Sequence, residues 1–178
     1  MTDADLRTKL DAIADHESRV QTSPLTRIIR PLSKTAGFAR VYRRLGPIVD
    51  PRIRDLRDGR VMARLYGFPI LMLHSTGAKS GQPRSSPLVY VRDGEDVMLV
   101  GTNFGQPKHP AWTANLLAHP DAAVVIGPVR LNVVAELVDD ATFDRVFPEF
   151  VDVYPGYANY LERRQGLHPR MFRLRPTS

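Results

Sequence analysis

Cysteine is absent from the chain, which removes disulfides, thiolate metal ligands and thiol redox chemistry. Any electron transfer must then come from a bound cofactor. No run of about 18 apolar residues occurs, so no segment reads as a membrane-spanning helix. The start Met1-Thr2-Asp3-Ala4-Asp5 is acidic and polar, with no signal-peptide core, and predicts a cytoplasmic protein. Internal repeats and low-complexity tracts are lacking. The five histidines show no paired metal spacing, and His109, His119 and His168 each precede a proline. They read as turn or helix-start residues, and no metal is expected.

Positive charge is in excess. The formal charge is +6, and it is unevenly placed. Between Arg19 and Arg64 lie Arg27, Arg30, Lys34, Arg40, Arg43, Arg44, Arg52, Arg54, Arg57 and Arg60, against Asp50, Asp55 and Asp58. Such a block favours an anionic partner, or is a solvated basic face. Nucleic acid is not expected, because no recognition helix or RNA-binding aromatic motif accompanies the charge. Leu25, Ile28, Ile29 and Leu32, then Phe38, Val41, Tyr42 and Leu45, recur at helical spacing among these cations. A basic amphipathic stretch of this kind can lie on an anionic membrane surface, which would make the protein peripheral on the inner face of the plasma membrane, or it can cover the body of the domain.

At 178 residues the chain is long enough to bury a real core. Asp3 to Val20 reads as a helix with Leu6, Leu10 and Ile13 as its apolar stripe. Strands are expected at Phe68–Ser75, Ser85–Arg92 and Asp96–Gly101, with Asp93-Gly94 as a hairpin turn. A loop, Thr102 to Lys108, leads to a helix opened by His109-Pro110 with the proline near its first turn and Trp112, Leu116 and Leu117 on its apolar side. Ala122–Ile126 and Val129–Val138 form a hairpin over Gly127-Pro128. Asp140 is expected to cap a helix bearing Phe143, Val146, Phe147, Phe150 and Val151, and Arg170–Leu174 is a final strand. Strands joined by hairpins, with helices inserted late, argue for an antiparallel sheet closed into a small barrel.

Three stretches carry chemistry. Pro69 to Arg84 is an apolar strand ending in Ser-Thr-Gly-Ala-Lys-Ser-Gly-Gln-Pro-Arg, a turn of small residues with two cations, Lys79 and Arg84. Amides of a glycine-containing turn can converge on an anion, and an ordinary exposed β-turn is the alternative. It is not a P-loop: Ala78, not glycine, precedes Lys79, and two prolines and a strand follow where a helix is required. The second stretch is Gly101 to Asn115, which holds the single tryptophan. The third is Tyr154, Tyr157 and Tyr160, which helical spacing would set on one side, as a ligand wall or a packing seam, though Pro155-Gly156 argues against one continuous helix there.

In this order, the turn, then Pro-Leu-Val-Tyr, Asp-Gly, His-Pro-Ala-Trp-Thr-Ala-Asn-Leu and Tyr-Pro-Gly-Tyr-Ala-Asn-Tyr resemble the deazaflavin-dependent nitroreductase family of actinobacteria, whose members include quinone reductases. The likeness covers roughly Pro69 to Arg164. It implies a split β-barrel, an α+β and mainly β fold of the flavin-reductase type, over residues 61–178 behind a basic helical extension over 1–60. It implies coenzyme F420, an 8-hydroxy-5-deazaflavin with an anionic tail, and hydride transfer to quinone-like, enone or nitro-aromatic acceptors. The implied coenzyme-binding set is Thr76, Gly77, Lys79, Ser80, Gly81, Arg84, Pro87, Thr102, Asn103, Gly105, Trp112 and Asn115. Lys79 and Arg84 would hold the phosphate, Thr102 takes the place of a family serine at the deazaflavin, and Asn115 would shape its helix. Trp112, Tyr154, Tyr157 and Tyr160 would border the substrate. Tyr157, with Tyr154 and Thr102, would serve the reaction, Tyr157 being the best proton donor. Ala78 and Asn103 stand where members often carry Arg and Lys, so two cations are missing. FMN is the alternative cofactor, a non-enzymatic cofactor-binding or membrane-associated module is the alternative function, and a homodimer is compatible with the fold.

Overall fold

The structure is a computed structural model that describes residues 2–22, 69–163 and 166–177. The basic amphipathic stretch Leu25 to Leu45, and most of the expected extension over 1–60, lie outside the described residues. Helix α1 (Asp3–Thr22) carries Asp3 and Asp5 in its first turn and Arg19 in its last, which complements the helix dipole. Six strands follow: β1 (Ile70–Thr76), β2 (Pro83–Asp93), β3 (Asp96–Gly101), β4 (Asp121–Ile126), β5 (Val129–Leu137) and β6 (Arg170–Pro176). Helix α2 (Ala111–Ala118) lies between β3 and β4, and α3 (Asp140–Val153) and α4 (Gly156–Arg163) lie between β5 and β6.

The strands close into an antiparallel barrel in the order β1-β2-β3-β6-β5-β4, with β4 returning to β1. Period-two alternation sends one set of side chains inside, most cleanly in β5, where Val129, Leu131, Val133 and Ala135 are buried between exposed neighbours. Leu71, Leu73, Tyr90, Leu99, Val124, Ile126, Phe172 and Leu174 complete the interior. A six-stranded barrel is narrow enough to be filled by side chains, leaving its two ends to be sealed. At one end α1 lays Ile13 into the interior cluster with Leu6 against it, and Arg92 at the end of β2 reaches the Leu10 carbonyl at 3.5 Å. The described part of the N-terminal region is therefore integral to the barrel. At the other end α2 inserts Trp112 and Leu116.

The outer face of β2, β3 and β6 presents Val91, Met98, Val100 and Met171, and α3 and α4 cover it with Phe143, Val146, Phe147, Phe150, Tyr157 and Tyr160. The α3 face is the predicted one. Its cap is not Asp140 but Asp139, whose carboxylate accepts from the Thr142 amide at 2.9 Å; Asp140 is already the first helical residue. Pro110 stands just before α2, next to its first helical position as expected, whereas Leu117 is exposed rather than on the buried side. Arg145 clamps α3 to the β2–β3 hairpin through a two-pronged pair with Asp93 at 3.0 and 2.6 Å. That guanidinium, with Arg173 behind it, holds the Asp93 carboxyl below the usual carboxylate range.

Candidate active site

The C-terminal ends of β1 and β3 and the starts of β2 and β6 share the barrel end sealed by α2, because Thr76 pairs with Pro83 and Gly101 with Arg170. The turn between β1 and β2 stands there. It is closed by Gly77 N–H to the Gln82 carbonyl at 2.9 Å and Gly81 N–H to the Gly77 carbonyl at 2.8 Å. A side chain on Gly77 would meet Ser80 Oγ and the Gln82 carbonyl. Lys79, Ser80, Gly81 and Arg84 are exposed, and Arg84 touches Ser80 Oγ at 3.4 Å. Neither Lys79 nor Arg84 has an ion pair among the described residues. Two cations without carboxylate partners on a tight turn have the donor chemistry to hold a phosphate.

The turn is tethered from α2. Asn115 Oδ1 accepts from the Ala78 amide at 3.0 Å, and its Nδ2 donates to Ser75 Oγ at 3.4 Å. Both Asn115 and Ser75 are buried. Asn115 therefore acts on the turn, and only its place on a helix was legible beforehand. Beside the turn, a cleft of about 410 Å³ shares Thr76 and Arg84 and contains His74, Ser85, Arg130 and Asn132. His74 Nδ1 and Ser85 Oγ are 3.0 Å apart there. Of its lining only Thr76 and Arg84 were in the expected set, since the rest is brought together from strands far apart in sequence.

The loop after β3 links the turn's helix to the tyrosines. Thr102 is buried, and its carbonyl accepts from Gly105 N–H at 3.0 Å. Asn103, Phe104 and Gly105 all have positive φ, at 48°, 56° and 76°. The left-handed region costs a non-glycine residue about 1–2 kcal/mol, so the neighbours must hold this loop in place. Asn103 Nδ2 donates to the Lys108 carbonyl at 3.2 Å. Gly105 faces α4 so closely that a Cβ would lie 3.3 Å from Tyr160 Cα and 3.1 Å from Arg163 Cβ.

Tyr154, Tyr157 and Tyr160 do come together, with ring centroids 5.6, 5.9 and 6.0 Å apart. They do not share one helix: Tyr154 ends α3, and α4 begins at Gly156. The Tyr154 and Tyr160 hydroxyls are 3.2 Å apart. Burial, then the Tyr154 hydroxyl, pushes the Tyr160 phenol up from its ordinary range, so it is neutral at physiological pH. Tyr157 is 7% exposed and packs edge-on against Phe147 and Phe150. Trp112 is placed elsewhere. It lies inside the barrel cluster at 5.7 Å from Phe172, so its ring does not join the tyrosine wall. Pro87 is half-buried in β2, paired with Met72. Phe104 was not singled out by any motif, yet its ring meets Tyr160 edge-on at 6.2 Å.

A family model for F420H(2)-dependent quinone reductases matches residues 49–167. The chain belongs to the F420H(2)-dependent quinone reductase family. The quinone reductase Rv1261c of Mycobacterium tuberculosis H37Rv is 44% identical over 82 residues, 46% of this chain and 55% of its own length. A second relative from that organism, the putative F420H(2)-dependent quinone reductase Rv3178, is 34% identical over 89 residues, 50% of this chain and 75% of its own. The chain thus spans 55% of the first relative's length. Among solved structures, an F420-H2 dependent reductase (FDR-A) superimposes with a TM-score of 0.55 and 33% identity, over 60% of this chain and 93% of that one. A structure described as a domain-swapped dimer gives 0.56 and 29%, over 71% and 96%. Within the family the described fold is the expected split β-barrel. No helix among the described residues is long and apolar enough to cross a membrane.

Proposed function

We propose that the protein is a deazaflavin-dependent oxidoreductase that transfers a hydride from reduced coenzyme F420 to quinone-like, enone or nitro-aromatic acceptors. The observation that carries this reading is the arrangement at one barrel end. A two-cation turn is tied by Asn115 to α2, and the loop entering α2 is packed on the tyrosines of α4. Bound there, the coenzyme supplies a hydride carried on carbon. Lys79 and Arg84 hold its phosphate; the Gly81 amide is committed to the Gly77 carbonyl within the turn, which leaves the Ser80 amide to assist. Thr102 and Asn103 line the ring end. The protein's remaining task is to exclude water and orient the acceptor.

The tyrosines serve that task. Tyr157 and Tyr160 are buried against the outer barrel face and Tyr154 is half-buried beside them; a neutral phenol of this cluster directed at an acceptor oxygen stabilises the negative charge that develops there. Tyr154 and Tyr160 already share a proton position at 3.2 Å, and Tyr157 is held in register by Phe147 and Phe150. The deciding experiment titrates the purified protein with F420 and with FMN side by side, then adds menadione to the protein with reduced F420. Selective binding of F420 with menadione reduction supports the reading; exclusive binding of FMN, or no turnover at saturating reduced coenzyme, ends it.

Two further proposals concern partners. The excess of basic residues from Arg27 to Arg60 supports association with the cytoplasmic face of an anionic membrane, the alternative being that this stretch covers the domain; flotation with neutral and with anionic liposomes tests this, and equal recovery in both excludes it. A homodimer is supported by likeness to a protein described as a domain-swapped dimer, and light scattering that returns a monomer mass removes it.

A further inference from the structure

The outer face of β2, β1, β4 and β5 carries the cleft beside the turn, and its register explains the hollow. Ser85 pairs with His74, His74 with Ala123, and Ala123 with Asn132. Alternation along each strand puts these side chains on one face. Ala123 has the shortest side chain of the row, so a depression opens between His74 and Asn132. Its volume of about 410 Å³ lies within the range of small-molecule sites. Polar groups converge on it: Asn132 contributes an amide, and the His74 ring and Ser85 hydroxyl are held 3.0 Å apart. Cations stand on two of its rims, Arg84 at the start of β2 and Arg130 on β5, both exposed. Neither guanidinium has a carboxylate partner among the described residues, and Asp121 in the same lining pairs with neither.

We propose that this cleft is a second anion site, adjoining the coenzyme's, that takes a small dicarboxylate bridging Arg84 and Arg130. Neighbouring strands lie about 4.8 Å apart, so β2 and β5, three spacings distant, are at most roughly 14 Å apart at the backbone. A single-centred anion such as phosphate meets one rim. Two carboxylates on a short chain meet both, each matched to the flat fork of a guanidinium. Asp121 repels a third negative group and so limits the ligand to two. Arg84 belongs to this cleft and also touches the cationic turn at Ser80. A dicarboxylate that engages it withdraws it from the coenzyme's phosphate, so each ligand weakens the other. The coupling rests on the proposed function; the cleft's own ligand does not.

Calorimetric titration of the full-length protein without coenzyme tests the site, with glutarate as the probe and butyrate and inorganic phosphate for comparison. Glutarate is expected to bind at least about tenfold more tightly than either, the scale of one charge-assisted contact. Arg130→Gln should weaken glutarate about tenfold, and Arg130→Lys should weaken it less. F420 should bind Arg130→Gln within about twofold of the parent, whereas Lys79→Ala should weaken F420 and leave glutarate unchanged. At constant ionic strength, saturating glutarate should weaken F420 for the parent, and less so for Arg130→Gln at the same concentration. Equal binding of the three probes, no glutarate binding, or glutarate binding indifferent to Arg130→Gln overturns the site. Parallel loss of F420 and glutarate in Arg130→Gln overturns it as well, because the cleft then belongs to the coenzyme. Glutarate that binds without any effect on F420 overturns the coupling. Arg130-dependent glutarate binding with no F420 binding by the parent supports the site and tells instead against the proposed function.

Discussion

Asn115 joins the Ala78 amide, at 3.0 Å, to Ser75 Oγ, at 3.4 Å, and so couples the seal of the barrel to the cationic turn. Both of its partners lose a hydrogen bond if it is truncated, and a buried polar group left unpaired costs about 1–3 kcal/mol. Asn115→Ala should therefore lower stability by that amount in a denaturant titration. It should also loosen F420 beyond what the Lys79 and Arg84 side chains explain, because the turn that carries them is released. Asn115→Ala with unchanged coenzyme affinity would show that the turn holds its shape unaided.

Lys79 and Arg84 predict the opposite division. Both are exposed, so Lys79→Ala with Arg84→Ala should leave the unfolding midpoint in place. Taking the lower end for a charged contact, about 1.5 kcal/mol each, the double variant should bind F420 roughly a hundredfold more weakly. The parent's affinity should also fall as salt is raised, more steeply than the variant's. Identical salt slopes in a fluorescence titration would place the anion site elsewhere.

Much of the frame was legible because local rules and tertiary context agreed. Strand β3 begins and ends where alternation and the Asp93-Gly94 turn put it, and the α3 stripe is the buried one. What was hidden depends on partners far apart in sequence. The stripe Leu6, Leu10, Ile13 was visible, but not that it seals a barrel. Trp112 followed the apolar side of its helix into the barrel, where its indole meets the Phe172 ring at a tilt of 59°. The break at Pro155-Gly156 was legible as a doubt about one continuous helix, but not that the three rings still gather across it. Phe104 carries no signal at all, since nothing local announces a left-handed phenylalanine.

That break gives a third prediction. A Cβ on Gly156 would overlap the Tyr154 ring at Cε1, Cζ and the hydroxyl. Tyr154 must then swing away from Tyr160, and overpacking of this kind costs about 1–3 kcal/mol. Gly156→Ala should destabilise by that much and cut menadione turnover while leaving F420 binding intact. Gly94→Ala is the control: the hairpin tip has φ +66° and open space, so only the backbone cost of about 1 kcal/mol applies, with turnover unaffected. A Gly156→Ala protein with parental turnover would remove Tyr154 from the acceptor site.

The sealed end opposite the turn supplies the last prediction. Glu17 on α1 is half-buried beside the Tyr90 hydroxyl, which is itself enclosed by the barrel and has no well-formed hydrogen bond. Burial pushes the Glu17 carboxyl up from its ordinary value, and the Tyr90 hydroxyl and Arg92 only partly oppose it. An acid whose folded pKa is raised binds its proton more tightly in the folded state. Its contribution therefore favours folding at pH below the ordinary carboxylate range and is lost as pH rises through the folded value. Glu17→Gln keeps an acceptor for Tyr90 and removes the buried charge. The variant should show a higher unfolding midpoint than the parent at pH 8 and a smaller advantage at pH 4, read by urea denaturation at both. A variant destabilised at pH 8 would mean that the Glu17 charge, through Arg92, holds α1 in place more strongly than burial opposes it.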